Sequence, residues 1–91
     1  MFDVYKVIAD ETRRKILDLL KEKDMTVSEI SGYFKISQPS ISQHLALLKN
    51  ANLIDSFKEG KYVIYSLNLT VFQEILGWVF NFANTKEEDE K

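Results

Sequence analysis

The sequence predicts a mainly α domain carrying one β-hairpin, in the order α-α-α-α-β-β-α. Three observations predict it. Apolar residues recur at helical spacing through most of the chain. Two short helical segments are separated only by the link "KIS", residues 35–37. Two β-type runs then flank Glu59-Gly60, which is hairpin chemistry. A length of 91 residues sets one domain as the default and leaves room for only a small core.

Each element follows from its residues. Phe2 to Ala9 is a short apolar-rich helix. Asp10 suits the N-cap of the next, "ETRRKILDLLKEK", whose inward stripe is Ile16, Leu17 and Leu20. Arg13, Arg14 and Lys15 stand at its exposed start, as a solvated face or as phosphate contacts. "TVSEISGYF" opens with Thr26 and Glu29 in capping-box spacing and places Val27, Ile30 and Phe34 on one face. Ser37 caps the fourth helix. Pro39 is tolerated in its first turn, where amides lack intrahelical partners. Ile41, Leu45 and Leu48 form its core stripe, with Ser42, Gln43 and Ala46 facing away. Asn52 suits a left-handed cap at its end.

"LIDSFKEGKYVIYSL" is the hairpin, with Lys58 and Lys61 bracketing its tip. The last helix, "TVFQEILGWVFNFAN", has Thr70 and Gln73 in capping-box spacing. Phe72, Ile75, Leu76, Val79, Phe80 and Ala83 form one stripe. Val71, Trp78 and Phe82 widen it to about half the circumference at about 100° per residue.

Composition removes several function classes. There is no cysteine, so disulfides, thiolate metal sites and thiol chemistry are excluded. The N-terminus lacks the basic start and apolar core of a signal peptide, and no run of about 18 apolar residues could span a membrane. A cytoplasmic protein without membrane insertion is expected. The net charge is −2, and the tail "KEEDEK" (86–91) accounts for it, because residues 1–85 hold ten basic and ten acidic side chains. Any basic patch is therefore local. Residues 1–85 are expected to form the domain, and residues 86–91 an acidic tail.

Two short helices joined by a tight turn and followed by a hairpin make a winged helix-turn-helix. In that architecture the second helix of the pair enters the DNA major groove. This accounts for a face built of small polar residues. They let the backbone approach base edges, and Gln38 and Gln43 can donate and accept at once. Ser40 and Ser42 reach bases or phosphates. The amides of Ser37 to Ser40 suit a phosphate. Lys58 and Lys61 then contact the backbone or minor groove. The plainer alternative is a solvated face plus a helix cap.

His44 is the chain's only histidine. It stands four residues from Ser40, but no orienting carboxylate is near in sequence and no glycine loop offers an oxyanion site. No catalytic residues are assigned. His44 is expected at the edge of the core stripe, bonded to backbone or to a DNA phosphate. The broad last stripe is either core or, because one small domain covers one side of a terminal helix, a two-fold interface.

"ADETRRKILDLL", "ISQPSISQHLALLKNANLI" and "KEGKYVIYSL" together resemble the ArsR family of bacterial winged-helix repressors, over residues 2 to about 84. The resemblance implies a homodimer that binds inverted repeats in double-stranded promoter DNA and represses transcription. It is nearest to the family's autorepressors without metal ligands. The family's recognition pattern, Ser-Gln-x-x-x-Ser-x-His-Leu, falls on Ser37, Gln38, Ser42, His44 and Leu45, with the variable positions at Pro39, Ser40 and Gln43. The wing pattern falls on Lys58, Gly60 and Lys61. The expected dimer residues are Phe2, Tyr5, Phe72, Ile75, Trp78, Val79 and Phe82.

The departures are informative. Thr26 and Ser28 stand where many members carry metal-binding cysteines. The last helix has no histidine and, before the tail, only Glu74. No metal and no cofactor are therefore expected. Asp10-Glu11 replaces the usual Asp-Pro, and Asn52 a common glycine. No motif specifies the releasing signal, whether an inducer or an anti-repressor partner. A competing reading from another class is a winged-helix module for protein contacts, which the near-neutral body and acidic tail would suit.

Overall fold

The computed structural model describes residues 4–89. Its order is α1 (Val4–Ile8), α2 (Glu11–Glu22), β1 (Met25–Thr26), α3 (Val27–Ser31), α4 (Gln38–Asn50), β2 (Ile54–Glu59), β3 (Tyr62–Leu67) and α5 (Leu69–Asp89). Phe2 lies outside the described residues. The fold is a mainly helical winged helix-turn-helix.

The helix starts are set by local chemistry. Asp10 accepts the backbone N–H of Arg13 at 3.0 Å and caps α2. Thr26 and Glu29 form a reciprocal capping box, with Thr26 N–H donating to Glu29 Oε1 at 2.9 Å and Glu29 N–H donating to Thr26 Oγ1 at 3.2 Å. Ser37 Oγ accepts the N–H of Ser40, with Pro39 in the first turn of α4. After α4 the chain reverses through Asn52 at φ 62°, a backbone region that asparagine tolerates better than most side chains.

Three details depart from the sequence expectation. A two-residue strand, β1, pairs antiparallel with β3, giving a three-stranded sheet in the order β1-β3-β2. Two residues carry no period of their own, and the strand exists only through its partner. At the hairpin, Glu59 pairs with Tyr62, so the tip is Gly60-Lys61, one residue later than expected. Gly60 has φ +63°, whereas Lys61 is not among the positive-φ residues. Glycine at the first of two loop positions is the pattern of a type II′ turn, whose twist matches that of the strands. Finally, α5 is capped by Asn68, whose Oδ1 accepts Val71 N–H at 3.3 Å, and not by Thr70. Asparagine is among the strongest N-caps, and it precedes the first helical residue.

The core gathers one stripe from each element. Ile16, Ile30, Ile41, Leu45, Leu48, Leu53 and Ile54 are fully buried, and Leu20 and Met25 nearly so. Each such side chain contributes about 1.5–3 kcal/mol by leaving water. Val71, Phe72 and Ile75 of α5 pack against this cluster. Beyond Ile75 the helix leaves the body: Leu76, Trp78, Val79, Phe80 and Phe82 are all exposed. A 21-residue helix is about 31 Å long, and the molecule measures 56 Å along its longest axis against 27 and 25 Å across.

Candidate nucleic-acid interface

The sequence-predicted reading face lies on α4. Its buried stripe, Ile41, Leu45 and Leu48, fixes the rotation of the helix. Gln38, Pro39, Ser42, Gln43 and Ala46 are exposed. At about 100° per residue Ser42, Ala46, Pro39 and Gln43 fall on an arc opposite that stripe. The side chains there are short or end in amides, so the backbone stays accessible to a close neighbour.

The start of α4 is more constrained than its sequence suggested. Ser37 Oγ donates to Ser40 Oγ at 3.1 Å while accepting Ser40 N–H at 3.3 Å. Ser40 is half-buried, and its Oγ accepts one hydrogen bond within the cap. Ser37 itself is exposed.

Two polar contacts leave the flanks of α4. On one flank Lys49 Nζ donates to Ser56 Oγ of β2 at 2.7 Å. On the other, His44 Nδ1 stands 3.8 Å from Asp10 Oδ2 of the α2 cap. His44 is thus half-buried against α2, and the carboxylate beside it is far away in sequence. Sequence reasoning missed both contacts, because both are tertiary. Asp10 also pairs with Arg13 Nε at 3.7 Å. Its carboxyl is held below the usual value, first by the N–H of Arg13 and then by the charges of Arg13 and His44, with burial opposing.

The three basic residues that open α2 all have intramolecular work. Arg13 pairs with Asp10. Arg14 donates to the carbonyls of Ile8 and Ala9 at 3.0 and 2.7 Å, closing the end of α1. Lys15 Nζ sits 5.9 Å from the ring centre of Phe34. These contacts favour a packing role over a phosphate contact.

In the wing, Lys58, Gly60 and Lys61 are exposed. Strand register decides where they point. Residues 54, 56 and 58 share one face of β2, so Lys58 is on the face of Ser56, toward α4. Lys61 is at the tip, its Nζ 5.6 Å from the ring centre of Tyr62. The opposite face carries Thr26, Glu59, Tyr62 and Ile64, which with Glu29 line an open hollow of about 410 Å³. The sheet thus divides its charges, with a lysine toward α4 and a carboxylate, Glu59, on the opposite face.

Of the residues expected at a dimer interface, Tyr5, Trp78, Val79 and Phe82 are exposed, at 64, 58, 48 and 68%. Phe72 and Ile75 are half-buried on the chain's own core. Trp78 and Phe82 stack with ring centres 6.0 Å apart. Among the described residues no group of three or more His, Cys, Asp or Glu could hold a metal ion. No helix among them is long and apolar enough to cross a membrane.

Comparison with known proteins places this geometry. The family model described as "Bacterial regulatory protein, arsR family" matches residues 10–56, the span from the α2 cap into β2. The chain is similar to the transcriptional repressor SdpR of Bacillus subtilis, at 51% identity over 98% of this chain and 99% of that one. It is also similar to the regulator KmtR of Mycobacterium tuberculosis, at 36% identity over 87% of this chain and 62% of that one. Among solved structures, an ArsR family transcriptional regulator superposes with a TM-score of 0.82 at 26% identity, over 92% of each chain. HlyU from Vibrio cholerae superposes at 0.72 with 32% identity, over 87% of this chain and 86% of that one.

Proposed function

Because the chain belongs to the ArsR family of bacterial regulatory proteins, and is a DNA-binding transcription regulator rather than an enzyme, we propose that it is a homodimeric cytoplasmic repressor occupying an inverted-repeat operator. The observation that carries this reading is the arc of α4 opposite its buried stripe, where Ser42 and Gln43 are exposed on a helix fixed by Ile41, Leu45 and Leu48, with Gln38 exposed at the first helical position. Gln38 and Gln43 read base edges. Ser42 approaches a base or phosphate. The capped helix start, Ser37 to Ser40, faces a phosphate. Lys58 and Lys61 hold the backbone beside the wing, and Gly60 makes the turn that presents Lys61.

The exposed apolar half of α5 supports the dimer. A solvated monomer gains nothing from Trp78, Val79 and Phe82 in water, and a two-fold partner would bury them together with Tyr5. Two reading helices related by that axis require half-sites about one DNA turn (roughly 10–10.5 bp) or a multiple apart. Repression follows from occupying promoter DNA that polymerase needs. The repressor sense agrees with SdpR, a transcriptional repressor by name.

Selection from a randomised DNA library at two salt concentrations tests the reading. The expected result is an enriched inverted repeat whose binding falls steeply with salt, with a log–log slope near −0.9 per phosphate contact. No enrichment and a flat salt response would instead assign the fold to protein–protein contact.

A further inference from the structure

His44 belongs to α4 but not to its exposed arc. At about 100° per residue it lies on the flank facing α2, across the helix from Lys49. Its Nδ1 is covered from solvent and makes no hydrogen bond. Covered polar nitrogens without a use are costly and uncommon. Asp10 Oδ2 stands 3.8 Å away, within ion-pair reach, and the same oxygen already anchors the first turn of α2 through Arg13 N–H.

We propose that His44 is a positioning residue: through Nδ1 it ties the recognition helix to the Asp10 cap of α2, and it leaves DNA contact to its neighbours. The inference rests on α4 being the helix that reads DNA. The recognition helix is then braced on both flanks, by His44 to α2 and by Lys49 to Ser56 of the wing strand. A helix pinned on both sides cannot roll about its buried stripe, so the glutamines keep one aim.

Two substitutions separate this role from a direct contact. The side-chain nitrogen of asparagine falls where Nδ1 is, and that of glutamine where Nε2 is. His44→Asn therefore keeps a donor toward Asp10, and His44→Gln keeps only the far end of the ring. Asp10→Ser retains a capping residue type but withdraws the carboxylate. The probe is a duplex enriched by the wild-type protein from a randomised library. A random-sequence duplex of equal length serves as reference.

His44→Asn is expected to bind the enriched duplex within about twofold of wild type, and His44→Gln about three- to tenfold more weakly. Asp10→Ser should lose as much as His44→Gln, with the two combined no weaker than either alone. The salt slope should stay that of wild type. A second measurement needs no DNA. As His44 is the only histidine in the chain, its imidazole resonances are unambiguous, and Asp10→Ser should shift them.

The proposal is overturned if His44→Gln binds better than His44→Asn and the salt slope of His44→Asn falls by about one, since Nε2 would then hold a phosphate. Additive losses, or imidazole signals indifferent to Asp10→Ser, overturn it as well. A wild-type protein that enriches no sequence removes the reading of α4 itself, and this role with it. Reversed variants on a protein that does enrich one remove this role alone.

Discussion

Gln43 and Lys61 are proposed to make two kinds of DNA contact, which single substitutions distinguish. Gln43→Ala is expected to lower affinity for the selected site by about 1–3 kcal/mol and to change random DNA much less, as base readout requires. Lys61→Ala should weaken all sequences alike and reduce the salt slope by about one. Titrations of both variants on both duplexes check this. Asp10 makes a different prediction. Its folded carboxyl lies below the ordinary value of 3.8, so the folded state binds its proton less readily than the unfolded chain. The stability it adds is present above that ordinary value and is lost as the pH falls through the lower folded one. Thermal melting across acid pH should show a fall that Asp10→Asn flattens. Caps were legible at this scale because a side chain and an amide three residues on are neighbours in any helix; Asp10, Thr26 with Glu29, and Ser37 all act as their spacing says. The roles of Arg14, Lys15 and His44 were not legible, because their settings include the end of α1, Phe34 and the α2 cap brought beside α4.

Elements with their own period were read from the sequence, and elements that borrow stability were not. The stripe Ile41, Leu45 and Leu48 predicts α4 and its rotation together. The strand at Met25 and Thr26 has no pattern and exists by pairing with Tyr65 and Ile64. The start of α5 had two candidates, since Thr70 with Gln73 has capping-box spacing while Asn68 lies just ahead of the helix. Asn68 is also fastened from behind, its own N–H donating to Leu53 O at 3.0 Å. Only the folded chain supplies that anchor. Asn68→Ala should therefore cost about 0.5–2 kcal/mol in urea unfolding, and Thr70→Ala clearly less.

At the scale of the whole molecule, the order of helices and hairpin was legible, because each of them carries a periodic or turn signal. The division of labour along α5 was not. Its apolar width is uniform in sequence, yet Val71, Phe72 and Ile75 pack on the chain's own core while Trp78, Val79 and Phe82 stay exposed. The boundary is set by where the body ends, a property of the other elements. Trp78→Glu is expected to shift the proposed dimer to monomer in sedimentation at micromolar concentration, with the melting of the monomer unit little changed. A dimer that persists would place the interface elsewhere.

The exposed position of Trp78 has one more consequence. It is the chain's only indole, it is 58% open to water, and it lies on the half of α5 that leaves the body. Its emission is therefore a built-in optical gauge of the proposed dimer. If that dimer forms through α5, diluting the unlabelled protein should move the emission toward the red as its subunits part. The midpoint of that drift would give the self-association constant against which every operator titration has to be read.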